Sequence, residues 1–454
     1  MKPIFEEEKL FFEKKTGIKI PNNCWRNGTK IYLNSSNKEL LIRFKIEDNI
    51  IKIVKNNIYK FEKNIVAVRD KKQVKVLHNY TLEEEISLNK NRLIFLENRS
   101  VSKSLKFIKK YRYHEKRLAH SGGKDSDVLF YIFVNKILPL LKNKDYKIDF
   151  NNTTNDTAQT YLHIKELPND KLNIHNPQKG IIEWITEDKN YFLPCVTNRN
   201  CCSNYKEGRM KDYLDKDKKY LLILGMRRDE SPDRSKYDYD LNKSMGEKNN
   251  VPENWKRFLP ILEWTDIDIW LYILMNNIKV NHMYKLGYNR CGCLICPFQS
   301  DYIDLLTQYF YPFQWSRWMK IVEKNYEVCS VGSNLKWSLK EWLEGRWKQG
   351  KSQIYEITKL KMTKERIQKV MKLLGISEEL AKKYFKKECF CCGKKLNPEE
   401  IGMSLKVAGQ EKGFSNVADE DYLCKKCYCD KYNIDKKTFK NKVFKYRKDK
   451  CSLF

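Results

Sequence analysis

The stretch Arg117–Leu141, RLAHSGGKDSDVLFYIFVNKILPLL, decides the fold. A short apolar run ends near His120, a Ser-Gly-Gly turn follows, and from about Asp125 to Leu141 the apolar residues recur at helical spacing. Strand, glycine turn and helix in that order open a parallel α/β layer. The glycines permit positive φ and let the backbone approach a ligand closely. The first helical turn offers unpaired N–H groups and the positive end of the helix dipole to an anion. Ser121 and Ser126 add hydroxyls around Gly122 and Gly123, Lys124 adds a cation, and Asp125 can cap the helix or help hold Mg2+. The pattern is not the GxxxxGK[ST] of P-loop NTPases. Six such residues at one strand-to-helix junction weigh against an ordinary Ser/Gly turn.

Outward from this loop, LLILG (221–225) reads as a second buried strand, and Thr265 as the N-cap of an amphipathic helix, DIDIWLYILMNNI. Strands alternating with helices imply a parallel sheet with a ligand crevice at the strand C-termini. At that mouth GMRRDESPDRSKYDY (225–239) places Arg227, Arg228, Glu230, Ser231 and Arg234. Guanidinium groups suit phosphate. Asn152, Thr153 and Asp156, in DFNNTTNDTAQTY (149–161), are weaker candidates, because polar residues after a strand are often turn formers. Residues 1–105 alternate in short runs, KIYLN to RLIFLE, and read as a small β-rich domain; 106–300 is the α/β domain. Residues 301–385 read as a helical extension whose tryptophans (315, 318, 337, 342, 347) suit packing between helices better than base stacking.

The fifteen cysteines are clustered. Short spacings favour metal ligation over a disulfide framework. Cys201-Cys202 and Cys293-x-x-Cys296 offer four soft ligands for an iron–sulfur cluster, with zinc second and free thiols third. Cys195 and Cys291 are nearby extras. In residues 386–454, Cys389-x-x-Cys392 and Cys424-x-x-Cys427 have the spacing of a four-cysteine zinc ribbon. The last histidine is His282, so this tail is no His-dependent nuclease. Its basic run with interleaved aromatics suits a phosphate backbone or, equally, a solvated helix face.

Lys+Arg total 88 against 58 Asp+Glu, a net charge of +30. Such an excess points to a polyanion, nucleic acid first. Enrichment in Lys, Asn, Ile and Tyr also fits AT-rich coding, which halves the weight of that argument. The opening MKPIFEEEKLFF lacks the n- and h-regions of a signal peptide, and no apolar run approaches membrane-spanning length. A cytoplasmic protein with no membrane partner is expected.

SGGKDS, the 149–161 segment, GMRRDES and YKLGYNRCGCLICP (284–297), in this order, resemble the PP-loop ATP pyrophosphatases, and within them the phosphoadenosine phosphosulfate (PAPS) reductase-like family. The paired cysteines are similar to those of iron–sulfur adenylyl-sulfate reductases and DndC-type DNA phosphorothioation enzymes. The resemblance implies an adenine-nucleotide α-hydrolase-like core binding ATP and Mg2+, with a [4Fe–4S] cluster on Cys201, Cys202, Cys293 and Cys296. It implies that an acceptor attacks the α-phosphorus and pyrophosphate leaves, with Lys124, Asp125, Arg227 and Arg234 in catalysis. A sulfur-donor protein such as a cysteine desulfurase would be a partner. Two departures bear on the reaction. The C-terminal ECGLH-type cysteine of the reductases is missing, and Cys329 lacks that context. The phosphate loop, altered in reductases whose substrate is already activated, is intact. Both favour ATP-driven adenylylation with sulfur transfer over PAPS or adenylyl-sulfate reduction. A non-catalytic nucleic-acid-binding protein with a nucleotide-sensing loop is the third reading.

Overall fold

The computed structural model describes residues 1–35, 39–58, 67–69, 73–75, 80–189, 191, 193–196, 199–207, 209–245, 251–330, 337–349, 364–374, 377–378, 388–412 and 419–448. The chain forms two compact units. The first comprises 1–178, 208–295 and 299–312; the second comprises 179–207, 296–298 and 313–454.

In the first unit, β1 (Lys2–Pro3), β2 (Trp25–Asn27), β3 (Lys30–Tyr32), β4 (Leu40–Glu47) and β5 (Ile50–Asn56) form an antiparallel sheet in chain order. Helix α1 (Glu6–Thr16) is inserted after β1, with three glutamates in its first turn and Gly17 closing it at φ 71°. A short hairpin pairs β6 (Ala67–Arg69) with β7 (Gln73–Lys75). Residues 92–97, which alternate like a strand, instead lie within α2 (Leu82–Lys110). A Thr81/Glu84 capping box starts this helix, and its buried line runs Glu85, Leu93, Leu96, Ser100, Ser104, Ile108. Serines on the inward face lower its apolar contrast and hide the helical period. They are buried for a reason: Ser100 Oγ donates to the Pro260 carbonyl at 2.9 Å and accepts from Trp264 Nε1 at 3.0 Å.

The antiparallel sheet is joined to the rest of this unit by buried charge. Glu8 takes ion pairs from both Lys2 and Arg26, all three almost wholly buried. Burial would raise the Glu8 carboxyl, but Arg26 and Lys2 hold it below the usual range. Arg26 also donates to the Gly287 carbonyl and, at 2.8 Å, to Asn289 Oδ1. Glu85 on α2 accepts from Trp25 Nε1 at 2.8 Å.

The second sheet of this unit is wholly parallel, in the order β10 (Leu172–His175), β9 (Lys147–Asn151), β8 (Glu115–Ala119), β11 (Tyr220–Leu224), β12 (Trp255–Phe258). The chain runs outward from β8 on one side, then returns to β11 on the other. The crevice beyond the ends of β8 and β11 is therefore the topological switch point, where α/β sheets bind ligands. Helix α3 (Lys124–Ile132) leads out of that crevice; it passes into a π turn at 133–137 and a 3-10 turn at 138–140 carrying Pro139. Helix α4 (Ala158–Lys165) follows β9. The expected Thr265 cap is present as a capping box with Asp268 at the start of α5 (Asp266–Met275). Helix α2 holds α5 through Arg92, which grips Asp268 with two bonds of 2.7 and 2.8 Å. Helix α6 (Asp301–Phe310) completes the unit.

The second unit contains α7 (Pro312–Ser330), α8 (Leu339–Leu343), α9 (Lys364–Leu374), α10 (Pro398–Lys412), α11 (Lys425–Lys431) and α12 (Lys436–Lys448). Trp318, Trp342 and Trp347 are fully buried here, and Trp342 Nε1 donates to Asn325 Oδ1 at 3.1 Å. These tryptophans are packing residues, as their spacing suggested. No helix among the described residues is long and apolar enough to cross a membrane.

Candidate active site and metal centre

The loop after β8 is held from three sides. Gly122 sits at φ 72°, and a Cβ there would meet Thr160 Cγ2 at 2.8 Å. A Cβ on Gly123 would lie 3.2 Å from the Tyr284 hydroxyl. Gly122 therefore excludes a side chain by backbone conformation as well as space, and at Gly123 a side chain would require the Tyr284 hydroxyl to shift by a few tenths of an ångström. The Gly122 N–H donates to His120 Nδ1 at 3.2 Å, and Asn281 Nδ2 donates to the Gly122 carbonyl at 3.2 Å. The Lys124 N–H donates to the Tyr284 hydroxyl at 2.9 Å. Ser121 and Ser126 meet each other, Oγ to Oγ, at 3.0 Å. Across the crevice, a Cβ on Gly225 would stand 3.1 Å from the Asp125 carbonyl, so the end of β11 and the start of α3 touch through backbone.

Four charged side chains converge beside this loop. Lys124 Nζ lies 2.9 Å from both Asp125 Oδ2 and Asp266 Oδ1. Arg227 Nε pairs with Asp125 Oδ1 at 2.6 Å, and its outer nitrogens reach Asp266 Oδ1 at 3.1 Å and the Trp264 carbonyl at 3.2 Å. Lys124 is 4% and Arg227 2% exposed. Burial would raise the Asp266 carboxyl, but Lys124, the Met1 ammonium and Arg227 hold it far below the usual range. Burial would lower Lys124, yet Asp125 and Asp266 keep it above its ordinary value. Of the four residues named from sequence as catalytic candidates, Lys124, Asp125 and Arg227 contact one another here, whereas Arg234 pairs with Glu230. Both Asp125 oxygens are engaged by cations, which is a different setting from an open Mg2+ ligand. Asp266 is the member that sequence reading missed; it follows the recognised Thr265 cap, but 142 positions separate it from Lys124.

The rest of the arginine-rich segment closes on itself. Glu230 accepts from the Arg227 N–H at 2.8 Å and pairs with Arg234. Ser231 Oγ accepts from the Arg234 N–H at 3.2 Å, and Arg228 Nε donates to the Tyr237 carbonyl at 2.9 Å. Arg228 and Arg234 remain partly exposed at the rim. Asn152 Oδ1 accepts from the Thr154 N–H at 2.7 Å, and Thr153 Oγ1 donates to Asp156 Oδ2 at 2.7 Å; both act here as turn formers. This turn also receives the cysteine segment: Asn155 bonds the backbone of Leu294 and Ile295.

Behind the loop lies a buried trio that sequence reading did not single out. His163 Nε2 is 2.7 Å and His120 Nε2 3.3 Å from the same oxygen, Asp127 Oδ1. Burial would raise the Asp127 carboxyl, but the two imidazoles hold it below the usual range. Burial would lower His163, but Asp127 outweighs it and holds the imidazole above its usual value. The signal available in sequence was His120 itself, adjacent to SGGKDS.

Of the cysteines, Cys291 is buried behind the loop and burial pushes its thiol far up. Cys293, in the first unit, has Sγ 3.8 Å from Thr153 Oγ1. Cys201, Cys202 and Cys296 belong to the second unit and are half-buried. There Arg199 lies over the Phe298 ring at 5.0 Å, so the segments carrying Cys201-Cys202 and Cys296 run close together.

The four tail cysteines meet as expected. The Sγ atoms of Cys389, Cys392, Cys424 and Cys427 all lie within 4.8 Å of one another, and those of Cys392 and Cys424 are 3.7 Å apart. A tetrahedral Zn–S shell of about 2.3 Å requires S···S separations of about 3.8 Å, so the donor set fits the metal. Gly393, at φ 67°, turns the first knuckle and donates its N–H to the Cys389 carbonyl at 2.8 Å. Cys424 caps α11 and accepts from the Cys427 N–H. Burial would raise the Cys389 thiol, but backbone N–H groups of Cys424, Cys392 and Cys391 bring it down to about 6.

Residues 116–299 match the family model for the phosphoadenosine phosphosulfate reductase domain. An uncharacterized protein of Methanocaldococcus jannaschii is 27% identical over 310 residues, 66% of this chain and 69% of that one. The adenosine 5'-phosphosulfate reductase of Oceanobacillus iheyensis is 29% identical over 180 residues, 38% of this chain and 69% of its own. Among solved structures, phosphoadenylyl-sulfate reductase from Candida auris aligns at 16% identity and TM-score 0.33, over 48% of this chain and 97% of that one.

Proposed function

We propose that this chain, whose residues 116–299 form a domain of the phosphoadenosine phosphosulfate reductase family, splits ATP into AMP and pyrophosphate by adenylylating an acceptor that then receives sulfur. The observation that carries this reading is the loop itself: a glycine at φ 72° that admits no side chain and a second one tightly packed, opening onto the N-terminus of α3 at the switch point of a parallel sheet. Ser121, Gly122, Gly123 and Ser126 line the anion cradle for the β- and γ-phosphates of Mg2+-bound ATP. An acceptor oxygen attacks the α-phosphorus, the bond from that phosphorus to the bridging oxygen breaks, and pyrophosphate leaves with the electron pair. Lys124 and Arg227 offset the charge that develops on the leaving group, and Asp125 and Asp266 fix their positions. Arg228, Glu230, Ser231 and Arg234 form the rim, with Asn152 and Thr153 shaping the wall on the β9 side. A sulfur nucleophile then attacks the activated atom of the acceptor and releases AMP.

Cys201, Cys202, Cys293 and Cys296 are proposed as ligands of a [4Fe–4S] cluster, or of zinc, on their Cys-Cys and CxxC spacing. The cluster would supply redox or sulfur-handling chemistry. Zinc is proposed for the tail site. A reductase of adenylyl sulfate is a second reading, favoured by the named relative; sulfite formed from adenylyl sulfate and a thiol, without ATP, distinguishes it.

The test is pyrophosphate release from ATP. Lys124→Ala and Asp125→Ala should each lower it by about 100-fold or more. Wild-type rates in both folded variants would remove the loop from the chemistry.

A further inference from the structure

We propose that the outward face of α12 binds single-stranded nucleic acid. The binding stands apart from the ATP chemistry; that the bound strand is the acceptor rests on the reading above. A lysine surplus set by codon usage alone would be spread evenly along the ribbon, and it is not. Residues 388–421 hold seven acids and four bases, whereas 425–448 hold ten bases and two acids, Asp430 and Asp435. Asp435 is occupied in capping α12, its Oδ1 accepting from the Thr438 N–H at 2.6 Å, and Asp430 lies on α11. Helix α12 itself therefore carries no carboxylate.

The rotation of α12 is fixed. Phe439 and Val443 are buried in the ribbon core and Tyr446 packs against it, at the i, i+4, i+7 spacing of one helix face. The opposite arc turns Lys437, Lys440 and Lys445 outward, with Phe444 among them, 71% exposed. A single exposed phenylalanine is ordinary. Set among lysines on a face without acids, it offers a ring for a base to stack on and cations for the phosphates on either side. A duplex keeps its base faces stacked and cannot use that ring. One aromatic side chain gives too little apolar area for a lipid surface.

The experiment is fluorescence anisotropy with the full chain, without ATP, on 20-nucleotide RNA and DNA single strands, the matching duplex, and anionic phosphatidylserine vesicles. Zinc content verifies that each variant retains its ribbon. Replacing Lys437, Lys440 and Lys445 together by Gln should weaken single-strand binding at least 10-fold and reduce the salt slope by about 2. Phe444→Ala should weaken it about 5- to 100-fold with the slope unchanged and duplex binding unaltered. Comparison of the RNA and DNA arms identifies the sugar class. Unchanged binding in both variants, a duplex bound as tightly as the single strand, or preference for vesicles would overturn the proposal. Loss of binding in these variants alongside intact pyrophosphate release would uphold it and leave the loop chemistry standing separately.

Discussion

The Ser121–Ser126 loop and the four-cysteine tail both gather polar side chains, but they balance them in opposite ways. Beside the loop, Lys124, Arg227, Asp125 and Asp266 neutralise one another, and the sheet beneath supplies a large apolar core. In the ribbon, four sulfurs crowd together over a small core built around Met403, Leu423, Tyr428 and Phe439. A site balanced by its own side chains can be folded before its ligand arrives. A site made of converging thiolates obtains much of its folding energy from the metal.

Metal removal should expose that difference most strongly. A strong chelator should abolish amide protection across 388–412 and 419–448 while leaving β8, β9 and β11 protected, as read by hydrogen exchange. Protection lost equally in both regions, or in neither, would erase the contrast. A smaller effect is expected at the loop. Gly122→Ala places a Cβ against Thr160 and forces a non-glycine residue to φ 72°, costing on the order of 1–3 kcal/mol and about 10-fold or more in nucleotide affinity. Adding Thr160→Ser removes the obstructing methyl and should recover part of the loss; full recovery would show that backbone conformation contributes nothing.

The smallest effect expected is the pH response of the trio behind the loop. The raised His163 value means that its contribution to stability is complete below the unfolded imidazole range, about 6.5, and disappears as pH rises through the higher folded value. Glu166 supports the charged form and Lys279 opposes it. The depressed Asp127 acts at the other end, its contribution disappearing as pH falls through its folded value, below about 3.9. Urea midpoints should decline above about pH 6.5 in the wild type, and the decline should flatten in His163→Gln.

The legible parts of the molecule are those in which one local stretch contains the whole physical argument. The Ser121–Ser126 turn, the strand at 220–224, the Thr265 cap and the two CxxC knuckles each combine a turn residue, a cap or a ligand spacing within a few positions. What escaped depends on partners remote in sequence. Asp266 acquires its role from Lys124 and Arg227, and Tyr284 from the Lys124 N–H. His163 acquires its role from Asp127. Helix α2 escaped for another reason: its inward Ser100 is satisfied by Pro260 and Trp264, residues no local window contains, while Ser104 turns its hydroxyl back to the Ser100 carbonyl.

The buried contacts of Glu8 and Arg26 with the Gly287 region bear on how such a chain can evolve. A Cβ on Gly287 would stand 3.0 Å from the Glu8 side chain, so the first helix and the approach to the cysteine turn are fitted to each other atom by atom. An unrelated module grafted in place of residues 1–58 would leave Gly287 and Asn289 facing a surface never shaped for them. The antiparallel sheet is thus poorly suited to transfer without the segment it is fitted to.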